Sequence, residues 1–120
     1  MVRRRMVRNH EYIMSTLSRL TKKRLWTAVA HVKPNPGNDM LHGAPGAFVP
    51  VIVLAANARN VLNMVKNKLD TCEFKLERIE DIGQLSSRSL NTVAPELLSL
   101  ADGLTPQDPV AFGSFHSYEQ

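Results

Sequence analysis

The stretch FVPVIVLA, residues 48–55, decides the fold because it is a nearly continuous apolar run. Side chains of a β-strand point alternately to its two faces, so Val51 and Ile52 face opposite ways and both are apolar. A strand that is apolar on both faces is typical of the middle of a covered sheet. The segment therefore predicts a central, buried strand around which the other elements are arranged.

The residues that follow this strand predict further elements in alternation. Asn57 is a favourable N-cap, and apolar residues recur at helical spacing through residues 59–69, which predicts a helix. Alternating apolar and charged residues then predict a strand over residues 72–82. A second helix is predicted to begin at Pro95, because proline suits the first helical turn, and a final strand is predicted over residues 110–118.

The residues before the central run predict a strand and a loop. The strand covers residues 25–32 and is ended by Pro34, which cannot donate a hydrogen bond to the ladder. The segment over residues 34–46 is rich in proline and glycine, which predicts a long connection. The hydrophobic residues that we expect in the core whatever the function are Trp26, Val51, Ile52 and Val61.

The predicted order is strand, long loop, strand, helix, strand, helix, strand, which indicates an α+β fold. We expect a two-layer sandwich in which a single, mostly antiparallel sheet of about four strands carries both helices on one face. If another strand lies between residues 48–55 and residues 72–82, these two strands and their helix form a split β-α-β unit, as in ferredoxin-like domains. The architecture is therefore expected to resemble a ferredoxin-like one, as a single domain over residues 25–120.

Positive charge is concentrated in a basic N-terminal arm, residues 1–24. The chain has a formal net charge of +4, and Glu11 is the only acidic residue of the arm. The basic side chains of the arm are Arg3, Arg4, Arg5, Arg8, Arg19, Lys22, Lys23 and Arg24. They are the candidates for binding the phosphates of a nucleic acid, with an affinity that falls as salt rises. Two alternatives stay open: the arm is a disordered terminus, or translation starts at Met6 or Met14 rather than at Met1.

Hydropathy and cysteine usage indicate the cellular setting. The longest apolar stretch, residues 47–56, is interrupted by Pro50 and is about half of the roughly 20 residues that a membrane-spanning helix needs. Polar residues follow the N-terminal arginines, whereas a secretory signal continues into an apolar segment. The single cysteine, Cys72, excludes an internal disulfide. We therefore expect a cytoplasmic protein that does not bind a membrane.

The long loop is the candidate ligand-binding segment, because loops of more than about 12 residues inside a small domain are commonly functional. The candidate binding residues are Asn35, Asn38, Asp39 and His42 in the loop, with His31 and His116 near the ends of the first and last predicted strands. Asp39 and a histidine would supply the minimum for proton transfer, although no nucleophile is identifiable. The alternative is a plain connection whose Met40 and Leu41 pack against the edge of the core.

No cofactor or metal is expected. Zinc would accept the histidines of this set together with Asp39, but their spacing does not match a specific metal motif. The acidic residues Asp70 and Glu73 near Cys72 disfavour a thiolate nucleophile. The glycine spacing matches neither a P-loop nor a dinucleotide-binding motif. The sequence therefore indicates no particular reaction.

The lack of a catalytic pattern favours a binding role. The fold class alone does not decide between binding and catalysis. The leading hypothesis is a non-catalytic protein-binding domain, of an adaptor or immunity type, that uses the long loop and an adjacent sheet face. The alternatives are nucleic-acid binding by the arm, and binding or conversion of a small ligand by residues 33–47. Homo-oligomerisation is compatible with each of them.

Overall fold

The computed structural model describes residues 23–86 and 93–118, and residues 1–22 of the predicted arm lie outside these ranges. The strands in chain order are β1 (Arg24–Pro34), β2 (Ala47–Ala55), β3 (Phe74–Gln84), β4 (Val110–Phe112) and β5 (His116–Ser117). The helices are α1 (Ala58–Thr71) and α2 (Pro95–Ala101). The sheet has the order β3-β1-β2-β4, with β5 also paired to β2, and its pairings are antiparallel. The α+β fold with a single antiparallel sheet is therefore confirmed.

The central position of β2 is confirmed as well. This strand pairs with β1 along its whole length, and its other edge pairs with β4 and β5. Val51, Ile52 and Val61 are fully buried, as expected, whereas Trp26 is half-buried and donates its indole Nε1–H to Ala55 O at 3.0 Å. The apolar run thus forms the middle of the core.

The final strand is interrupted, although the sequence pattern predicts one continuous strand over residues 110–118. The break between β4 and β5 lies beside Pro50, whose carbonyl accepts a hydrogen bond from Gly113 N at 2.7 Å. Proline has no amide hydrogen to donate in return, so the ladder is incomplete at this point. The break that divides the edge strand into β4 and β5 therefore lies opposite a proline of the central strand.

Strands β2 and β3 are parallel to each other, because each is antiparallel to β1, which lies between them. Helix α1 joins them, so β2, α1 and β3 form a split β-α-β unit. This unit is compatible with the ferredoxin-like architecture that the sequence suggests.

The prediction that both helices lie on one face of the sheet is wrong. Val51 and Val53 of β2 pack with Val61 of α1 in one apolar cluster. Ile52 belongs to a second cluster, with Leu97 of α2. Neighbouring residues of a strand face opposite ways, so α1 and α2 cover opposite faces. The reason is the composition of β2: both of its faces are apolar, and each requires a cover.

The start of α1 is held by two reciprocal side-chain hydrogen bonds. Asn57 Oδ1 accepts from Asn60 N at 2.8 Å, and Asn60 Oδ1 accepts from Ala56 N at 3.1 Å. The arrangement follows the logic of a capping box, in which amides without a helical partner are satisfied from both directions. The predicted N-cap at Asn57 is therefore confirmed.

Replacing Asn57 by alanine is expected to lower the free energy of unfolding by about 1 kcal/mol, since the first turn of α1 loses its cap. Denaturant titration monitored by Trp26 fluorescence measures this loss. The control is Asn63→Ala, an exposed position within the same helix, which is expected to cause no loss because alanine is the better helix former. Equal stabilities of the two variants would contradict the role of the cap.

Candidate binding face and pocket

Helix α2 is short and covers only one end of its sheet face. At the other end of the same face, His31 of β1 lies opposite Phe48 of β2, and Phe48 lies opposite His116 of β5. Residues directly opposite in an antiparallel pair share a face and interact. Tyr118 follows β5 and contacts both His31 and Phe48. We call these four residues the aromatic face.

The rings of the aromatic face form one connected set. Phe48 stacks on His116 with centroids 4.8 Å apart, and His31 stacks on Tyr118 at 6.0 Å. Tilted contacts of 6.3 Å and 6.4 Å join Phe48 to His31 and to Tyr118. Phe48 and Tyr118 remain 38% and 36% exposed, although large apolar rings usually gain stability from burial. The face is therefore an apolar surface open to a ligand or a partner.

A chain of polar contacts runs along the edge of the aromatic face. Arg78 donates from Nε to Glu80 Oε2 at 2.8 Å, and Glu80 Oε1 lies 3.0 Å from His31 Nε2. The other ring nitrogen of His31, Nδ1, is hydrogen-bonded to the hydroxyl of Tyr118. The chain thus links a guanidinium, a carboxylate, an imidazole and a phenol in that order.

Electrostatics determine the hydrogen-bond directions in this chain. The hydrogen bond from Arg78, and then that from His31, lowers the pKa of the Glu80 carboxyl below its usual value. The hydrogen bond to Glu80 raises the pKa of Arg78 in turn. An ionised Glu80 only accepts, so a neutral His31 carries its hydrogen on Nε2. Its Nδ1 then accepts the hydroxyl hydrogen of Tyr118.

A pocket of about 240 Å³ adjoins the aromatic face. Its lining residues are His31, Val32, Lys33, Pro45, Gly46, Glu77, Arg78 and Tyr118. They come from the end of β1, the end of the long loop, the middle of β3 and the segment after β5. The pocket therefore lies where the predicted loop meets the sheet, and it contains one of the predicted site residues, His31.

The structure brings two of the predicted site residues together and leaves two others apart. His31 and His116 lie on either side of Phe48. Asp39 and His42 share a turn in which His42 N donates to Asp39 O at 2.9 Å, and both are exposed. Within the described ranges, no contact joins these two side chains to the aromatic face.

Asn35 and Asn38 contact the rest of the protein rather than an open site. Asn38 donates from Nδ2 to Glu73 O at 2.7 Å, and its Oδ1 accepts from Met40 N at 3.0 Å. The backbone amide of Asn35 also donates to Glu73 O, at 3.0 Å. Glu73 has a φ of 67°, so the turn between α1 and β3 presents its carbonyl to the loop. These contacts attach the loop to that turn.

The remaining predictions on sites concern metals, membranes and the arm. Among residues 23–86 and 93–118, no group of three or more His, Cys, Asp or Glu side chains is placed to hold a metal ion. No described helix is long and apolar enough to cross a membrane. Cys72 is a free, half-buried thiol. Of the basic residues proposed for nucleic acid, only Lys23 and Arg24 fall within the described ranges, at the start of β1.

Sequence reasoning missed Phe48, Tyr118, Arg78 and Glu80 as site residues. Arg78 and Glu80 belong to the alternating charges of β3 and resemble an ordinary solvated face. Phe48 begins the apolar run and resembles core. One signal could have indicated that Phe48 is exposed. Phe48 shares its strand face with Ile52, but the short helix α2 that covers Ile52 does not extend to Phe48.

No known protein-family model, curated protein or solved structure matches this chain. The functional interpretation therefore rests on the geometry of the aromatic face and its pocket.

Proposed function

We propose that this chain is a non-catalytic protein-binding domain, of an adaptor or immunity type, that contacts its partner through the aromatic face. The observation that carries the proposal is the pair of exposed rings, Phe48 and Tyr118, on the half of a sheet face that α2 leaves open. Exposed apolar residues scattered singly need no explanation, whereas a contiguous set on one face marks an interaction site.

The chemistry of the face supports a protein partner. Aromatic residues and arginine are enriched at the centres of protein interfaces, because they bury large areas and lose few rotamers. Phe48 and Tyr118 supply such anchors, while Arg78 and Glu80 at the edge supply charges for a polar rim. The two charges of the rim pair with each other through Arg78 Nε, so they offset each other beside the apolar centre.

The adjacent loop is held in place before any partner binds. Its end, Pro45 and Gly46, lines the pocket beside the aromatic face, and Asn38 attaches its middle to the turn after α1. A preorganised segment loses less conformational entropy on binding than a mobile one.

The proposal includes a cytoplasmic setting, in which the lone thiol of Cys72 stays reduced. The partner is a different protein. A second copy of this chain is the competing occupant of the same face, and measurement of the mass of the purified protein in solution separates the two. A monomer at micromolar concentration supports the proposal, whereas a dimer that Phe48→Ala dissociates would contradict it.

Phe48→Ala is expected to weaken partner binding about 30-fold or more, which corresponds to about 2 kcal/mol, because the substitution removes the central ring of the face. The full chain and its variants are immobilised and incubated with a lysate of cells that naturally produce this protein. A protein retained in stoichiometric amount is then purified, and its affinity is measured.

The control is Leu62→Ala, since Leu62 of α1 is also 38% exposed but lies on the other side of the sheet. Wild type and this control are expected to retain the same partner with equal affinity. A partner that binds Phe48→Ala as tightly as wild type, or the absence of any stoichiometric partner, would contradict the proposal.

A further inference from the structure

The pocket beside the aromatic face is shaped by a bulge in β3. Opposite β1 the register shifts by one residue, so that His31 pairs with Arg78, Val32 pairs with Leu76, and Glu77 has no counterpart in β1. A bulge bends its strand and redirects side chains, and bulges are over-represented next to functional sites. Here it places both Glu77 and Arg78 along the pocket.

The opposite wall depends on Gly46. A Cβ at this position would lie 2.7 Å from Val32 O and 3.2 Å from the nearest ring carbons of Tyr118. The first distance is shorter than real Cβ contacts, so only glycine lets the loop approach β1 this closely. Gly46 O also accepts from Tyr118 N at 2.9 Å, which holds the tyrosine at the mouth of the pocket.

Cationic groups outnumber anionic groups in the lining. Lys33 forms no ion pair with any described residue, and the contact of Arg78 with Glu80 uses Nε, so the two Nη groups have no partner in the described ranges. Glu77 is the one carboxylate among the lining residues. Glu80 does not line the pocket, and its carboxylate is hydrogen-bonded to Arg78 and His31. Guanidinium and ammonium groups are the usual protein donors to phosphate and carboxylate oxygens.

The state of His31 decides what Tyr118 offers to the pocket. With neutral His31, the hydroxyl hydrogen of Tyr118 is donated to Nδ1, and oxygen lone pairs remain for the pocket. A protonated ring donates from both nitrogens, to Glu80 and to the oxygen of Tyr118. The hydroxyl hydrogen is then released and becomes a donor.

From these contacts we propose that the pocket binds one oxyanion group, a phosphate or a carboxylate of a small molecule. Lys33, the Nη groups of Arg78 and the hydroxyl of Tyr118 are the donors. This inference does not rest on the protein-binding proposal, because it concerns the pocket rather than Phe48.

The test is an NMR titration of the full chain with sulfate, which does not change its charge near neutral pH, and with acetate in a second arm. Amide shifts are expected at Gly46 and Tyr118. Lys33→Gln and Arg78→Gln are each expected to weaken sulfate binding about tenfold. The matched control, Arg59→Gln on the exposed surface of α1, is expected to bind like wild type. Tighter binding of sulfate than of acetate indicates a phosphate ligand, and the reverse indicates a carboxylate ligand.

Absence of shifts at tens of millimolar sulfate, or equal binding by the pocket variants and the control, would overturn the proposal.

Discussion

Ile52→Ala is expected to lower the free energy of unfolding by about 2 to 5 kcal/mol, out of the roughly 5 to 15 kcal/mol available to a domain. Ile52 is fully buried in β2, opposite Thr27 of β1 and Ala111 of β4. Strands on both sides and α2 above prevent the site from collapsing around the missing atoms. The substitution therefore removes apolar burial and leaves a cavity.

Denaturant titration followed by Trp26 fluorescence measures this loss. Ile52→Val removes a single methylene and is expected to cost only about 0.5 to 1.5 kcal/mol, which gives a graded control at the same site. A loss below about 1 kcal/mol for Ile52→Ala would contradict the central, doubly covered position of β2.

The same variant tests the placement of the helices. Ile52 and Leu97 belong to one apolar cluster, whereas Val61 belongs to the cluster on the other face. Residues that share a cluster typically show non-additive effects of about 0.5 to 3 kcal/mol, and distant residues add. The double variant with Leu97→Ala is therefore expected to be non-additive, and the one with Val61→Ala additive. Coupling of Ile52 to both Leu97 and Val61 would contradict the assignment of the helices to opposite faces.

The placement of α2 was in principle readable from the sequence. The run over residues 48–55 has Val51 on one face and Ile52 on the other, and a strand apolar on both faces requires a cover on each. Element order and the α1 cap follow from local patterns, because helix spacing and the Asn57 signal depend on neighbouring residues. The split of the last strand does not follow from local patterns, because the break lies beside Pro50 of the neighbouring strand β2, which is distant in sequence.

The candidate site was less predictable than the fold. His31 and His116 carry a local signal, as polar rings near strand ends, but their partners are distant in sequence. The contact of His31 with Glu80 requires the β1–β3 register and its bulge, and neither leaves a mark in the alternating charges of β3. The loop residues Asp39 and His42 show the converse: closeness in sequence does not place them beside the aromatic face.

Phe74→Ala is expected to cost about 3 to 5 kcal/mol of unfolding free energy, the largest effect of any substitution considered. Phe74 is fully buried at the start of β3, on the sheet face that α1 covers. Its ring lies 5.2 Å from that of Phe115, which makes an edge contact with Phe112 at 6.1 Å. These contacts connect β3 at one edge of the sheet to the break between β4 and β5 at the other. Alanine would leave a ring-sized cavity in this connection.

The matched control is the same chemical change at Phe48, which is 38% exposed and is expected to cost less than about 1 kcal/mol. Both losses are measured by denaturant titration with Trp26 fluorescence. If Phe74→Ala does not fold, Phe74→Leu retains most of the apolar volume and is expected to show a smaller loss, part of it from the ring contact with Phe115. Equal losses at Phe74 and Phe48 would contradict the assignment of one ring to the core and the other to the binding face. They would also mean that reduced partner binding by Phe48→Ala reports unfolding rather than a lost contact.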